Sequence, residues 1–348
     1  MKIKIGSIFF TLLLIGVGVY AYFNQTWFVK QYDKLCAVYY VHRGDKAYSH
    51  LKLQRAIDHY TRALKLYPEH YSAWFNLGNI YVAYEDYYSA VDAYQQAIEH
   101  NPKMIIARMN YGIVSAEKLG DFDGAINQYN EILKTKRHLV SIPFIYSNRK
   151  SYKLNKGIAY YNMGIAYRQK SLYCGDNIKL QREYLSKAID SYKKAIKIMK
   201  KDYDARYNLA LVYHLMGDYN NAGLTYCDAI KVAPMEYDAH FNLALLLRQM
   251  KYYKASLDEM EKATTLITDK EGASARQRYV FDVMNDVTRT ILSENEKNYI
   301  VDKLDDDDRA NTPVTYVHGK LVASDALDKA MIKNFRTCGS RKLFLDED

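Results

Sequence analysis

One set of small and aromatic residues returns every 34 positions between residues 37 and 270, and that period decides what the chain can become. A unit of this length cannot bury its apolar faces alone, so it folds by stacking on its neighbours. The clearest copy starts at Tyr71 and reads Ala73-Trp74-Phe75-Asn76-Leu77-Gly78, then Tyr81, Ala90, Tyr94, Ala97 and Pro102. Upstream, Gly44, Ala56, Tyr60, Ala63 and Pro68 hold the same places. Downstream lie Asn110-Tyr111-Gly112, Ala125, Tyr129 and Ile132, with one residue added in the turn. A fourth copy reads Asn162-Met163-Gly164, Tyr167, Ala188, Tyr192 and Ala195. The fifth reads Asn208-Leu209-Ala210, Tyr213, Gly217, Ala222, Tyr226, Ala229 and Pro234. The sixth reads Asn242-Leu243-Ala244, Leu247, Tyr253, Ser256, Met260 and Ala263.

Within each copy two apolar stripes at i, i+3, i+4, i+7 spacing predict two amphipathic helices. With Tyr71 as the first position, Gly or Ala at the eighth lets the paired helices approach closely, and Ala at the twentieth and twenty-seventh does the same for the second helix. The twenty-fourth Tyr fills the space between neighbouring repeats. Pro68, Pro102 and Pro234 stop the second helix, since proline cannot continue it. Over residues 37–270 this pattern resembles the tetratricopeptide repeat superfamily. The resemblance implies an all-α fold, a right-handed α-solenoid of helix–turn–helix repeats. It also implies a concave groove that binds other polypeptides. The expected organisation is residues 1–28 as an N-terminal membrane segment, 29–136 as repeats one to three, 137–156 as a connector, 157–270 as repeats four to six, and 271–348 as a capping helix and tail.

Two irregularities interrupt the period. Gly112 and Gly164 are separated by 52 residues, and the extra stretch contains Pro143, Val140, Ile142, Phe144 and Ile145. The turn of the fourth copy is longer around Ser171 to Lys179. Such insertions either contact a partner or are merely tolerated. After residue 270, Tyr279, Val283, Val287 and Ile291 predict a helix that covers the last repeat. Asp305 to Asp308 reads as a solvated loop without the spacing of a calcium site. Residues 314–322 predict a short hairpin around His318-Gly319, and Ala323 to Phe335 a further helix.

Lys2 and Lys4 precede an uncharged apolar run from Ile5 to Phe23. As a helix it spans roughly 28 Å, close to a bilayer core. Tyr20, Tyr22, Phe23, Trp27 and Phe28 follow as an interfacial aromatic belt would. The segment predicts a single transmembrane helix through residues 5–23. A cleaved signal peptide is the alternative, with bulky residues flanking its weak Val19-Tyr20-Ala21 site. Lys2, Lys4 and the terminal amine point to export of the bulk of the chain, partly offset by Lys30 and Lys34.

The formal charge of +9 raises nucleic acid or anionic membranes as partners. The Lys and Arg read as spread over helix faces, with clusters at Lys193–Lys194, Lys197 and Lys200–Lys201, and no nucleic-acid motif accompanies them. Cys36, Cys174, Cys227 and Cys338 show no CxxC spacing. No catalytic motif, P-loop, cofactor fingerprint or metal-ligand spacing is present, so neither an enzyme nor a small-molecule substrate, cofactor or metal is expected. His214 and His240, on the first helices of adjacent repeats, read as satisfied surface histidines.

The residues that ask for a functional reason are five asparagines at the sixth position: Asn76, Asn110, Asn162, Asn208 and Asn242. Asn costs about 0.7 kcal/mol in a helix relative to Ala. At 100° per residue the sixth position faces away from the partner helix, on the side that lines the groove in proteins this chain resembles. There an amide can offer a donor and an acceptor to an extended peptide backbone. A similar Asn ladder occurs in the repeat domain of O-linked N-acetylglucosamine transferases, whose catalytic domain has no counterpart here. The fifth position supplies an apolar stripe of Phe75, Met109, Tyr161, Tyr207 and Phe241. The alternative is that the Asn solvate the helix face and the aromatics are core. The second, fifth and sixth positions lack the Lys and Arg clamps of repeat proteins that hold acidic chaperone tails. The expectation is a membrane-anchored scaffold for extended segments of a protein partner. Its alternative is a structural subunit that packs through its convex face or its tail.

Overall fold

A computed structural model describes residues 15–20, 22, 25–135, 146–266, 315–317 and 320–322. The helices expected near 279–291 and 323–335, the acidic run 305–308 and residues 1–14 of the apolar segment lie outside these. The chain divides into two units, residues 1–139 and 140–348. The first contains α1 (Gln25–Ser49), α2 (Leu53–Leu66), α3 (Tyr71–Ala83), α4 (Tyr87–His100), α5 (Ile105–Glu117) and α6 (Phe122–Lys134). The second contains α7 (Tyr146–Ser171), α8 (Ile178–Ile198), α9 (Tyr203–Leu215), α10 (Tyr219–Val232), α11 (Tyr237–Gln249) and α12 (Tyr253–Leu266). It also holds β1 (Thr315–Val317) and β2 (Lys320–Val322), which pair antiparallel with Tyr316 opposite Leu321. Helix α7 begins at Tyr146, so the end of the expected connector is the first two to three turns of a lengthened helix.

Each odd helix pairs with the even helix after it, and each hairpin packs on the next within its unit. The described repeats are thus an all-α stack of helical hairpins. The small positions are what bring the helices together. Ala56, Ala63, Ala90, Ala97, Ala125, Ala188, Ala195, Ala222 and Ala229 are all fully buried. At Gly44, Gly78, Gly112 and Gly164 an added Cβ would stand 2.5–2.7 Å from a ring carbon of Tyr60, Tyr94, Tyr129 or Tyr192. The twenty-fourth Tyr therefore lies against the first helix of its own repeat, not chiefly between repeats as its sequence position suggested. The fifth repeat keeps its buried Tyr226 with Ala210 at the eighth position, and in the sixth, with Ala244 there, the twenty-fourth is the pliable Met260.

Two local devices set the turns. Inside the hairpins the chain enters the left-handed region at Leu51, Glu85, Gly120, Gly217 and Lys251. The following helix is then capped by Asp86, Asp121 or Asp218, whose carboxylates accept from Ser89, Gly124 and Asn221 N–H. Between hairpins, a donor at the fourth position reaches back six residues to a turn carbonyl. Trp74 Nε1 donates to Pro68 O (2.8 Å), Arg108 Nε to Pro102 O (3.2 Å) and Arg206 to Lys200 O. Four-position donors of different chemistry thus do one job.

Two expectations follow. Gly112→Val drives two methyl groups into the Tyr129 ring and costs about 2 kcal/mol or more by overpacking, read as a lower urea midpoint. Leu51 is exposed and has φ 57°, so Leu51→Gly removes left-handed strain without losing packing. The net gain is about 0.5–1 kcal/mol, and a lower midpoint for that variant would contradict the turn assignment.

Candidate functional site

The first helices of each unit carry the five asparagines at one register, all half-buried. In the first unit each Asn reaches to the repeat before it. Asn76 Nδ2 donates to Asp45 Oδ1 at 2.9 Å and to Tyr60 OH at 3.2 Å, while Tyr60 OH donates to the same Asp45 oxygen at 2.7 Å. One repeat on, Asn110 Nδ2 (3.1 Å) and Tyr94 OH (2.8 Å) both donate to Asn79 Oδ1. The acceptors Asp45 and Asn79 occupy the ninth position of their helices.

In the second unit the ninth position is Ile165 or Leu211, which accept nothing. The hydroxyls of Tyr192 and Tyr226 are buried without a partner. The asparagines turn to a different acceptor. Asn208 Nδ2 donates to Tyr161 OH at 3.3 Å and Asn242 Nδ2 to Tyr207 OH at 3.0 Å, and each also donates to the carbonyl of its own first turn, Asp204 or Asp238. The fifth-position hydroxyl thus replaces the ninth-position carboxyl or amide. Asn162 shares the register and is half-buried.

These contacts change the expected role of the asparagines without removing it. The amide N–H groups tie one repeat to the next. The side-chain oxygens of Asn76, Asn110, Asn208 and Asn242 take no hydrogen bond among the described residues, so an acceptor remains at each. The fifth-position residues are likewise divided. Met109 is buried, while Phe75, Tyr161, Tyr207 and Phe241 are half-buried. Phe75 lies 5.8 Å from the Tyr94 ring, Tyr161 5.9 Å from Tyr192 and Tyr207 6.2 Å from Tyr226. One face of each ring belongs to the core. Tyr203 and Tyr207 stack at 5.7 Å with planes 9° apart, and Tyr237 and Phe241 at 5.4 Å and 13°. The second unit therefore shows two parallel ring pairs beside its asparagines.

Burial raises the phenol of Tyr94 to about 12, with the bond from Asn110 pulling the other way. Burial and the Asp238 carboxylate raise Tyr207 to about 12. Tyr60, Tyr129, Tyr192, Tyr203 and Tyr226 are pushed higher, with burial the largest cause in each.

His240 is a correction to the sequence reading. It is buried, not at the surface. Its Nδ1 lies 2.5 Å from Glu259 Oε2 and its Nε2 3.0 Å from Pro234 O, the sixth-repeat version of the turn clamp. Glu259 is 1% exposed, and its other oxygen meets Lys262 Nζ at 2.6 Å. His214 is half-buried beside Gln249 Oε1 at 2.6 Å. No group of three metal-ligating side chains occurs among the described residues. The residues the sequence reading missed are Asp45 and Asn79, the hydroxyls of Tyr161 and Tyr207, and Glu259. A signal for the first four exists: polar ninth positions precede Asn76 and Asn110, and Tyr at the fifth precedes Asn208 and Asn242.

Stacked hairpins with a small-residue seam and a patterned first-helix face define a helical repeat protein. The chain carries tetratricopeptide repeats: family models of that repeat match residues 43–87, 71–104, 203–234 and 237–269, and a TPR repeat model matches 177–217. It is similar to TPR repeat-containing protein MJ1428 of Methanocaldococcus jannaschii, 27% identical over 50% of this chain and 35% of that protein. A stretch covering 23% of the chain is 33% identical to a UDP-N-acetylglucosamine–peptide N-acetylglucosaminyltransferase of Giardia intestinalis, of which it covers 5%. The chain spans less than half the length of the curated relatives it matches. Among solved structures, PilW, a type IV pilus biogenesis factor, shares the fold with a TM-score of 0.51 at 14% identity, over 69% of this chain and 97% of that one.

Two measurements test this chemistry. A raised phenol pKa contributes stability that is complete below the unfolded value near 10 and is lost as pH rises above it, since unfolded phenols ionise first. The urea midpoint is expected to hold to about pH 9.5 and to fall toward pH 12, each raised phenol adding up to about 1.4 kcal/mol per pH unit. A midpoint unchanged at pH 11 contradicts the burial of these rings. Glu259→Gln leaves a buried histidine without its carboxylate and costs about 3 kcal/mol, while the double change Glu259→Leu, His240→Leu costs less than the single one.

Proposed function

We propose that the protein is an interaction scaffold whose first-helix faces take extended segments of a protein partner. The observation that carries this reading is a pair of half-buried asparagines with an unused side-chain oxygen in each unit, Asn76 and Asn110 in the first and Asn208 and Asn242 in the second. An extended chain lying across the first helices offers backbone N–H groups to those oxygens, and the neighbouring rings supply apolar contact without selecting a sequence. Because the amide N–H groups are held by the adjacent repeat, the oxygens are fixed before a partner arrives, which lowers the entropy cost of binding.

The same proposal places the scaffold at a membrane through residues 5–23. No helix among the described residues is long and apolar enough to cross a bilayer, and residues 1–14 lie outside them. What supports the anchor is the uncharged run itself and the exposure of the apolar residues that follow. Ile15, Val17, Val19, Tyr20, Tyr22, Trp27 and Phe28 are all exposed. Export of the repeats belongs to the same proposal.

Binding to an array of ten-residue peptides tests the groove. Asn208→Ala with Asn242→Ala is expected to weaken the peptides retained by the parent at least tenfold, with far-ultraviolet circular dichroism unchanged. Each change costs about 1 kcal/mol of stability, so binding is read well below the melt. Undiminished binding, or an array with no retained peptide, rejects the groove. For the anchor, the full chain stays with membranes after carbonate extraction and deletion of residues 1–24 releases it; a full chain that washes free rejects it.

A further inference from the structure

We propose that the tip of the α7–α8 hairpin docks on an anionic lipid surface. This site is separate from the run 5–23 and does not depend on it. Residues 146–201 hold 14 Lys and Arg against three acidic residues, a net +11, whereas the whole chain is +9. The remainder is therefore slightly acidic, and the positive charge is a property of one hairpin, not of all helix faces as the sequence reading held. Three acids cannot balance fourteen cations within the hairpin. Lys187–Glu183 is the ion pair found among the described residues of the hairpin. Lysines of the hairpin also lie over tyrosine rings: Lys170 and the paired Lys187 over Tyr184 and Lys194 over Tyr160, at 4.8–5.6 Å. A ring face holds a cation without cancelling its charge.

The tip adds a second, independent feature. Leu172 is 65% exposed, Tyr173 78% and Ile178 63%. Lys170, Lys179 and Arg182 flank them on both helices, and Asp176 is the single acid between. Both ends of the loop are internally paired, and only the N–H groups of Cys174, Gly175 and Asp176 take no backbone acceptor. Leu172 N–H donates to Gln169 O, Tyr173 N–H to Lys170 O and Asn177 N–H to Cys174 O, while Asn177 Oδ1 caps α8 by accepting from Leu180 N–H. The paired groups beside Leu172, Tyr173 and Ile178 can approach the acyl boundary without being stranded, and the three open N–H groups meet water and phosphate in the hydrated headgroup layer. The lengthened turn of the fourth repeat is what carries these residues out past the ends of the ordinary hairpin.

An aliphatic–aromatic tip inside a cationic collar fits the boundary between lipid headgroups and acyl chains, where apolar side chains insert and lysines meet phosphate. A nucleic acid would match the charge but has no place for exposed Leu172 and Ile178, because its phosphate backbone binds cations and its bases stack on rings.

The test uses the full chain with vesicles of phosphatidylcholine alone and of phosphatidylcholine mixed with phosphatidylglycerol. Association with the neutral vesicles reads the run 5–23; the excess on anionic vesicles reads the tip. At least a tenfold excess is expected, shrinking as salt is raised. Leu172→Ser with Ile178→Ser, and separately Lys179→Glu with Arg182→Glu, remove that excess while neutral-vesicle binding and circular dichroism stay unchanged. Tyr173→Trp gains a blue-shifted emission quenched by brominated acyl chains on anionic vesicles. The proposal is overturned by no anionic excess, by an excess indifferent to the tip variants, or by oligouridylate displacing the chain from anionic vesicles while losing affinity for the lysine and arginine variants alone.

Discussion

The first four hairpins depend on one close approach, a tyrosine ring lying where the Cβ of a facing glycine would stand. At Gly44, Gly78, Gly112 and Gly164 the ring carbons sit 2.5–2.7 Å from that missing atom, a separation no side chain tolerates. The ring is fully buried in each hairpin, and burying it contributes roughly 2–3 kcal/mol. Glycine costs about 0.5–1 kcal/mol in a helix, so the exchange is favourable only while the tyrosine is present. The two residues are one unit of design, though sixteen to twenty-eight positions separate them in sequence.

Once the ring is placed, its hydroxyl must go somewhere, and the answer differs between the units. Tyr60 and Tyr94 point theirs at a polar ninth position, and the next repeat's asparagine joins the same acceptor. A bond inside one repeat thereby becomes a link between two. With an aliphatic ninth position, Tyr192 and Tyr226 keep their hydroxyls unpaired in the interior. That is a cost of order 1–3 kcal/mol each, offset by the apolar packing of Ile165 and Leu211. The inter-repeat link passes instead to the hydroxyls of Tyr161 and Tyr207, nearer the face, and this brings the stacked ring pairs of the second unit out beside the asparagines.

The period, the helices and the seam of small residues were legible because each repeats, so every position was stated several times. What was not legible is what happens once. The direction of the Asn amides depends on a partner a repeat away, and helical-wheel geometry within one helix cannot show it. The burial of His240 was missed because its fourth position holds Tyr40, Trp74, Arg108, Tyr160 and Arg206 elsewhere; a site with no consistent chemistry looks like surface. Its common feature, a donor reaching a turn carbonyl six residues back, is visible only when Trp, Arg and His are read as N–H donors alone. The concentration of charge in α7 and α8 was hidden for the opposite reason, since counting lysines along the chain does not weigh them against the absence of acids beside them.

The sixth repeat shows how far the common design can be exchanged and still hold. Ala at the eighth position is compatible with the ring, as Ala210 and the buried Tyr226 show in the fifth repeat, but opposite Ala244 the space is filled by Met260, a chain that bends. The hydroxyl that Tyr60 and Tyr94 contribute to the link between hairpins is gone with the ring. In its place stands a buried carboxylate, Glu259, held between His240 on the facing helix and Lys262 on its own. A buried charge of this kind is satisfied in one arrangement of the two helices and expensive in any other. It supplies the orientation that the buried ring supplies in the earlier repeats. The fourth position can therefore do two jobs: Arg108 clasps the Pro102 carbonyl and also reaches Gln128 on the facing helix at 2.7 Å beside Tyr129, and in the sixth repeat, with the tyrosine absent, His240 does both with a buried carboxylate.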